Sequence, residues 1–171
     1  MRGSLNTKGL LDLIDYLPSN IIMAEIGCYT GESTRLFLES GKISFLYAID
    51  IWEDDCGNFK KINQYHDFLA VERIFDENMR DFNVKKLKMN FSESLKFLPT
   101  LDVIYIDANH EYEFVKEDIL NSFSVIKDNG FICGHDYVEE SPGVIKAVDE
   151  IFGKPDVLFS DGSWLVKLNK K

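Results

Sequence analysis

The residues able to do chemistry collect in a few short segments. Asp107, Ala108, Asn109 and His110 follow one apolar run, and His135, Asp136 and Tyr137 follow another. Two carboxylates converging from neighbouring strands repel each other unless a proton or a cation lies between them. Asp107 and Asp136 are therefore candidate acid–base or metal-ligating groups, with His135 as the neighbour that completes a cation site. The bland alternative is helix capping or a structural ion pair. An imidazole is a softer ligand than magnesium prefers, so these residues leave open which divalent ion is held, and whether one is. His110 stands three residues after Asp107, beside the start of the next helix, where an imidazole can also simply hydrogen-bond the backbone.

A further segment, Glu25-Ile26-Gly27-Cys28-Tyr29-Thr30-Gly31-Glu32-Ser33-Thr34, joins a strand-like run to a helix-like one. Gly27 permits a tight turn, Gly31 lets the helix start come close to a ligand, and Ser33 and Thr34 add hydroxyls. Asp50 ends the next apolar run, where a carboxylate can accept both hydroxyls of a ribose. Together these features point to an adenosine-type cofactor. The dinucleotide fingerprint requires glycine where Tyr29 stands. Glu25, Asp50, Asp107 and Asp136 all fall at expected strand ends. Such a rim repels a pyrophosphate and suits a ligand bearing a sulfonium and an ammonium, as S-adenosylmethionine (SAM) does. An NAD-dependent oxidoreductase is the competing enzyme reading, and a non-catalytic module binding SAM or S-adenosylhomocysteine (SAH) is the reading from another class.

These residues need elements to hold them. Short, apolar, β-branched runs at 21–27, 45–50, 102–107 and 130–135 read as buried strands, and 85–91 as a weaker outer one. Helical patterns occupy 7–17, 31–40, 65–82, 92–98, 111–127 and 143–152. In the third, Phe68, Val71, Phe75, Met79 and Phe82 share a face; in the fifth, Val115, Ile119, Phe123 and Ile126 do. Two short runs, 156–160 and 163–168, flank Asp161-Gly162, a two-residue hairpin signal. Strands alternating with helices require a mainly parallel sheet covered on both faces, and the terminal hairpin makes one edge strand antiparallel. Ligands of such sheets bind beyond the carboxyl ends of the strands, which is where the segments above lie.

Composition sets the outer bounds. The chain has 171 residues, is 45% hydrophobic and carries a net charge of −10. That length suits one domain spanning 1–171 with a core of its own, and that charge offers no basic stripe to a nucleic acid. No run is long and apolar enough to span a membrane. Cys28, Cys56 and Cys133 are odd in number and form no CxxC pair, which reads as reduced thiols in a cytoplasmic setting. Cys28 and Cys133 read as packing residues, and His66 as a surface residue. The 53–63 stretch is rich in acidic, glycine, asparagine and lysine residues and is expected to be among the more mobile parts.

With these residues in view, the sequence resembles a class I SAM-dependent methyltransferase of the Methyltransferase-24, small-molecule O-methyltransferase type. The resemblance rests on EIGCYTGEST (25–34), AIDIWEDD (48–55), VIYIDANHEYEFVKEDI (103–119), and GFICGHDY followed by GVIKAVDEIF (130–152). It implies a Rossmann-like, doubly wound α/β sheet of seven strands in the order 3-2-1-4-5-7-6, strand seven antiparallel. It implies that Glu25 and Gly27 hold the methionine end of the cofactor, Asp50 the ribose, and Asn90, Phe91 and Ser92 the adenine. Cys28, Tyr29, Gly31, Ser33, Thr34, Ile51 and Asp107 complete the cofactor set. Trp52 matches the family's acid-x-Trp and packs either near the adenosine or as an anchor for its loop. Relatives use an acid at the positions of Asp107 and Asp136 to hold a divalent ion, usually magnesium, and His110 is similarly placed to be a base. The paired prolines of aminomethyltransferases are absent, since the chain reads IDAN. The implied acceptor is thus a small hydroxylated molecule, a sugar or a secondary metabolite, with no nucleic acid or membrane partner. The 52–65 and 137–142 stretches, or a second copy in a homo-oligomer, would cover the acceptor.

Overall fold

The computed structural model describes residues 4–53 and 67–169. The chain runs α1 (Ser4–Tyr16), β1 (Ile21–Ile26), α2 (Glu32–Glu39), β2 (Ile43–Asp50) and α3 (Phe68–Met79). It continues through β3 (Val84–Lys88), the single turn α4 (Phe91–Ser94), a 3-10 turn (Leu95–Phe97), β4 (Leu101–Ile106) and α5 (Tyr112–Ser122). It closes with β5 (Ile126–Gly134), α6 (Pro142–Phe152), β6 (Val157–Leu158) and β7 (Trp164–Lys167). The strands form one seven-stranded sheet in the order β3-β2-β1-β4-β5-β7-β6. Only the pairings of β7, with β5 and β6, are antiparallel. The expected doubly wound architecture is the observed one.

Alternation along each strand sends its apolar residues to two cores, which is why these runs are almost continuously apolar. Met23, Leu46, Val103 and Tyr105 join Leu10, Leu13, Phe37 and Phe75 from α1–α3 on one face. Ala24, Ile49, Ile104 and Ile106 join Phe91, Val115, Ile119 and Val148 from α4–α6 on the other. Burying each large aliphatic side chain contributes about 1.5–3 kcal/mol.

Register decides where the site falls. Ile26 pairs with Ile49 and Ile106, and Ile106 with Gly134, so the carboxyl ends of the central strands are level. The ladder extends one residue further through Gly27 N–H to Ile49 C=O (2.9 Å), Asp107 N–H to Ile26 C=O (2.8 Å) and His135 N–H to Ile106 C=O (3.1 Å).

Three expectations are corrected. The helical pattern at 111–127 ends at Ser122, because Ile126 opens β5 and pairs with Leu101. Spacing that fits a helical face fits a buried strand start equally well, and sheet pairing decides. The segment expected as the helix 92–98 is one α turn followed by a 3-10 turn. The terminal hairpin turns over more than two residues: Phe159 N–H reaches Ser163 C=O, and Gly162 N–H reaches Phe159 C=O. Asp161 is drawn inward there, accepting from the Leu10 and Ser163 N–H groups. Residues 54–66, with Cys56, His66 and most of the stretch expected to be mobile, lie outside the described residues.

Candidate active site

The turn after β1 is built from backbone that side chains rarely tolerate. Gly27 sits at φ +83°, and a Cβ there would lie 2.3 Å from the Asp107 carbonyl oxygen. Only glycine allows the β1 and β4 loops to close this tightly. Gly31, at φ +85°, caps α2, and Tyr29 between them is also left-handed at φ +50°. Asp50, at the end of β2, holds the turn in place. Its Oδ2 accepts the Cys28 and Tyr29 N–H groups at 2.8 and 2.9 Å, and its Oδ1 accepts the Trp52 N–H at 2.7 Å. Of the roughly four acceptor positions of a carboxylate, three are therefore occupied by backbone.

Trp52 both lines the strand-end cleft and anchors its loop. It is buried, its indole N–H donates to the Tyr29 carbonyl at 2.8 Å, and its ring packs on Phe75 with centroids 4.8 Å apart. Its φ of +46° is unusual for so large a residue, and the core holds it there.

A cleft of about 690 Å³ opens over the strand ends, within the size range of small-ligand sites. Of the residues expected to touch a cofactor, Gly27, Tyr29, Asp50, Ile51, Trp52, Asn90, Phe91 and Asp107 line it. Glu25, Cys28, Ser33 and Thr34 are buried beneath the turn, and the Ser33 hydroxyl donates to the Glu25 carboxylate at 2.5 Å. Glu25 thus lies under the acidic rim, not on it. Gly31 and Ser92 also stand outside the lining. Cys28 is enclosed, and burial raises its thiol pKa well above the usual value, with the Glu25 and Asp50 charges adding to the effect. It is a packing residue.

At one end of the cleft Asp107 and His110 are part of the lining, and Asp136, with His135 next to it in sequence, meets them from outside it. His110 Nε2 lies 3.1 Å from Asp136 Oδ2 and 3.9 Å from Asp107 Oδ1. Ligand atoms of Asp107, His110 and Asp136 all fall within 4.8 Å of one another. The carboxylates of Asp107 and Asp136 push the His110 pKa up to about 10 against the effect of burial, so the imidazole is a cation at neutral pH. Burial alone would raise Asp136, but hydrogen bonding to His110 and His135 holds its pKa well below the usual carboxylate range. Asp136 is itself left-handed, at φ +60°.

The imidazole grouped with the two acids within 4.8 Å is that of His110, while His135, expected as the third ligand, is not in that group. His135 turns inward, with Nδ1 3.0 Å from Asp136 Oδ2 and Nε2 3.9 Å from the buried Asp161 Oδ2. Two carboxylates and one imidazole around a small gap form a donor set that fits a divalent cation.

Glu140 and Pro142, from the 137–142 stretch expected beside the acceptor, reach the cleft, and so do three residues that had not stood out in the sequence: Met89, Phe114 and Asp118. Phe114 and Asp118 are spaced i, i+4, each one place before the apolar stripe of Val115 and Ile119. That flanking stripe is the signal that could have found them.

A sheet in this order, a glycine turn after β1 and an acid ending β2 define a class I SAM-dependent methyltransferase domain. The chain belongs to the methyltransferase-domain family, whose model matches residues 24–137. Among curated proteins, it is 27% identical over 144 residues to protein R132 of Acanthamoeba polyphaga mimivirus, covering 77% of this chain. The chain spans 59% of the length of that relative. Among solved structures it resembles cofactor-bound Rv0187 from MTB (TM-score 0.69, 12% identity, 100% of this chain and 83% of that one). It also resembles the O-methyltransferase from Bacillus cereus in complex with SAH (0.67, 16%, 99% and 83%). A third likeness is to the O-methyltransferase TomG from Streptomyces achromogenes in complex with SAM (0.68, 14%, 99% and 82%). Among the described residues, no helix is long and apolar enough to cross a membrane.

Proposed function

We propose that this protein transfers the methyl group of SAM to a hydroxyl of a small molecule, such as a sugar or a secondary metabolite. The observation that carries this reading is the Asp107–His110–Asp136 cluster at the end of the cleft. SAM bound there supplies a methyl group already activated by its sulfonium, so the protein's work is alignment, exclusion of water and removal of the acceptor's proton. Gly27, Tyr29 and the backbone held by Asp50 bind the cofactor side. Phe114 and Pro142 offer apolar surface to the acceptor side. Asp107, His110 and Asp136 orient the acceptor hydroxyl; the Asp107 carboxylate takes up its proton, and the His110 imidazolium balances the negative charge of the two acids.

The same three residues would hold a divalent cation, which supplies acidification of the bound hydroxyl. His110 carries the positive charge of the cluster when that ion is absent. Among the described residues the cleft lining includes Asp50, Glu53, Asp107, Glu111, Asp118 and Glu140 and no Lys or Arg. That supports a neutral or cationic acceptor over a phosphorylated one or a nucleic acid.

The test is a radiolabelled SAM assay over a panel of catechols, polyols and amino sugars, run with magnesium, with manganese and with EDTA. His110→Ala and Asp136→Asn should lower turnover by about 10²–10⁴-fold while SAH affinity by calorimetry stays within a few-fold. Label appearing on nitrogen or carbon, or undiminished turnover in His110→Ala, overturns the reading.

A further inference from the structure

One carboxylate in the cleft has no part in the chemistry above. Asp118 lies on α5, half-buried, and its side chain lines the cleft together with Met89, Asn90 and Phe91. Among the described residues, no hydrogen-bond donor or cation partners its carboxylate. A carboxylate drawn out of water without a donor is costly, and here the cost is visible: burial first, then the adjacent Glu117 charge, raise its pKa to about 7. Such a group on a cleft wall is matched by a ligand that brings a donor.

Its neighbours say which part of the ligand that is. Asp118 stands one helical turn, about 5.4 Å, beyond Phe114 along α5, away from the helix start that adjoins His110. Val115 and Ile119, each next in sequence to Phe114 and Asp118, share a buried cluster with Phe91. Asp118 thus belongs to the wall formed with the end of β3, where Met89 and Phe91 offer apolar surface for a planar base. His110 and Asp107 belong to the other end.

We propose that Asp118 is a specificity residue for the cofactor, its carboxylate accepting a hydrogen bond from the 6-amino group of adenine. This rests on the SAM reading above. A carboxylate at that edge also rejects a base with a carbonyl at position 6, because two acceptors would face each other. The wall therefore reads adenine against hypoxanthine.

The experiment measures binding of SAH and of its deaminated analogue, S-inosylhomocysteine, by calorimetry at pH 8. The proteins are wild type, Asp118→Ala and Asp118→Asn. Wild type is expected to prefer SAH by at least about tenfold, since a hydrogen bond to a charged acceptor separates the two ligands. Asp118→Ala should weaken SAH by about ten- to a hundredfold while leaving the analogue unchanged or tighter. In Asp118→Asn the preference should shrink, because the amide can present an oxygen to one base and an N–H to the other. A melting temperature equal to or above that of wild type shows that the variants fold. A preference unchanged in both variants, or equal weakening of both ligands, overturns the proposal. No binding of SAH to wild type overturns the SAM reading itself and is recognised by that result alone.

Discussion

Asp50 shows how a side chain that lines a cleft can also build its walls. Its oxygens accept the N–H groups of Cys28, Tyr29 and Trp52, joining the turn after β1 to the turn after β2. In the sequence it reads as a ribose-binding acid, and the structure adds that it shapes the backbone at the cleft mouth. Asp50→Asn puts an amide N–H opposite a backbone N–H. It is expected to cost about 1–3 kcal/mol of stability in urea unfolding and to weaken SAH by more than tenfold. Lost SAH binding with unchanged stability would instead assign the carboxylate to the ligand alone.

At the scale of elements, the central device is the close approach of the β1 and β4 loops. Level strand ends bring Gly27 against the Asp107 carbonyl and the Ala108 backbone, where no side chain fits. Gly41 offers a matched contrast: it is also left-handed, at φ +70°, but nothing lies within 4 Å of a Cβ there. Gly41→Ala should cost about 1–2 kcal/mol, the penalty of the backbone conformation alone. Gly27→Ala should cost about 3 kcal/mol or more and should also impair SAH binding, since backbone must move. Urea denaturation of the two variants side by side checks the ordering. Equal costs would mean that the loops separate freely.

The pH dependence of global stability belongs to the whole molecule. Asp118 titrates near 3.8 when unfolded and at about 7 when folded. Between those values the native chain keeps a proton on Asp118 that the unfolded chain has lost, so the Asp118 contribution to unfolding free energy falls as pH rises from about 4 to about 7. Below that window both states are protonated and the penalty is absent; above it both are ionised and the penalty is complete. Asp118→Asn removes the penalty. Denaturant melts should show the variant more stable than wild type at pH 8, by an amount on the order of 2 kcal/mol after allowing for partial exposure. The two proteins should converge at pH 4. A constant gap across this range would mean that Asp118 is not the group that titrates.

The sequence by itself determined the alternation of strands and helices, the two-sided burial of the sheet and the gathering of titratable residues at the strand ends. Those features follow from local periodicity, glycine placement and apolar runs, all of which act over a few residues. Asp107, His110, Asp50 and Gly27 were legible because each stands at the end of such a run. The tertiary structure decided the rest. Ile126 pairs with Leu101 and becomes strand, not helix, because a partner strand distant in sequence competes for it. Between two histidines of equal chemical promise, packing turned His135 toward buried Asp161 and left His110 between Asp107 and Asp136. Asp118, one acid among many in the sequence, acquired meaning only when folding placed its carboxylate on the wall of the cleft without a partner. Orientation and desolvation are properties of neighbours brought from far along the chain, and no local pattern encodes them.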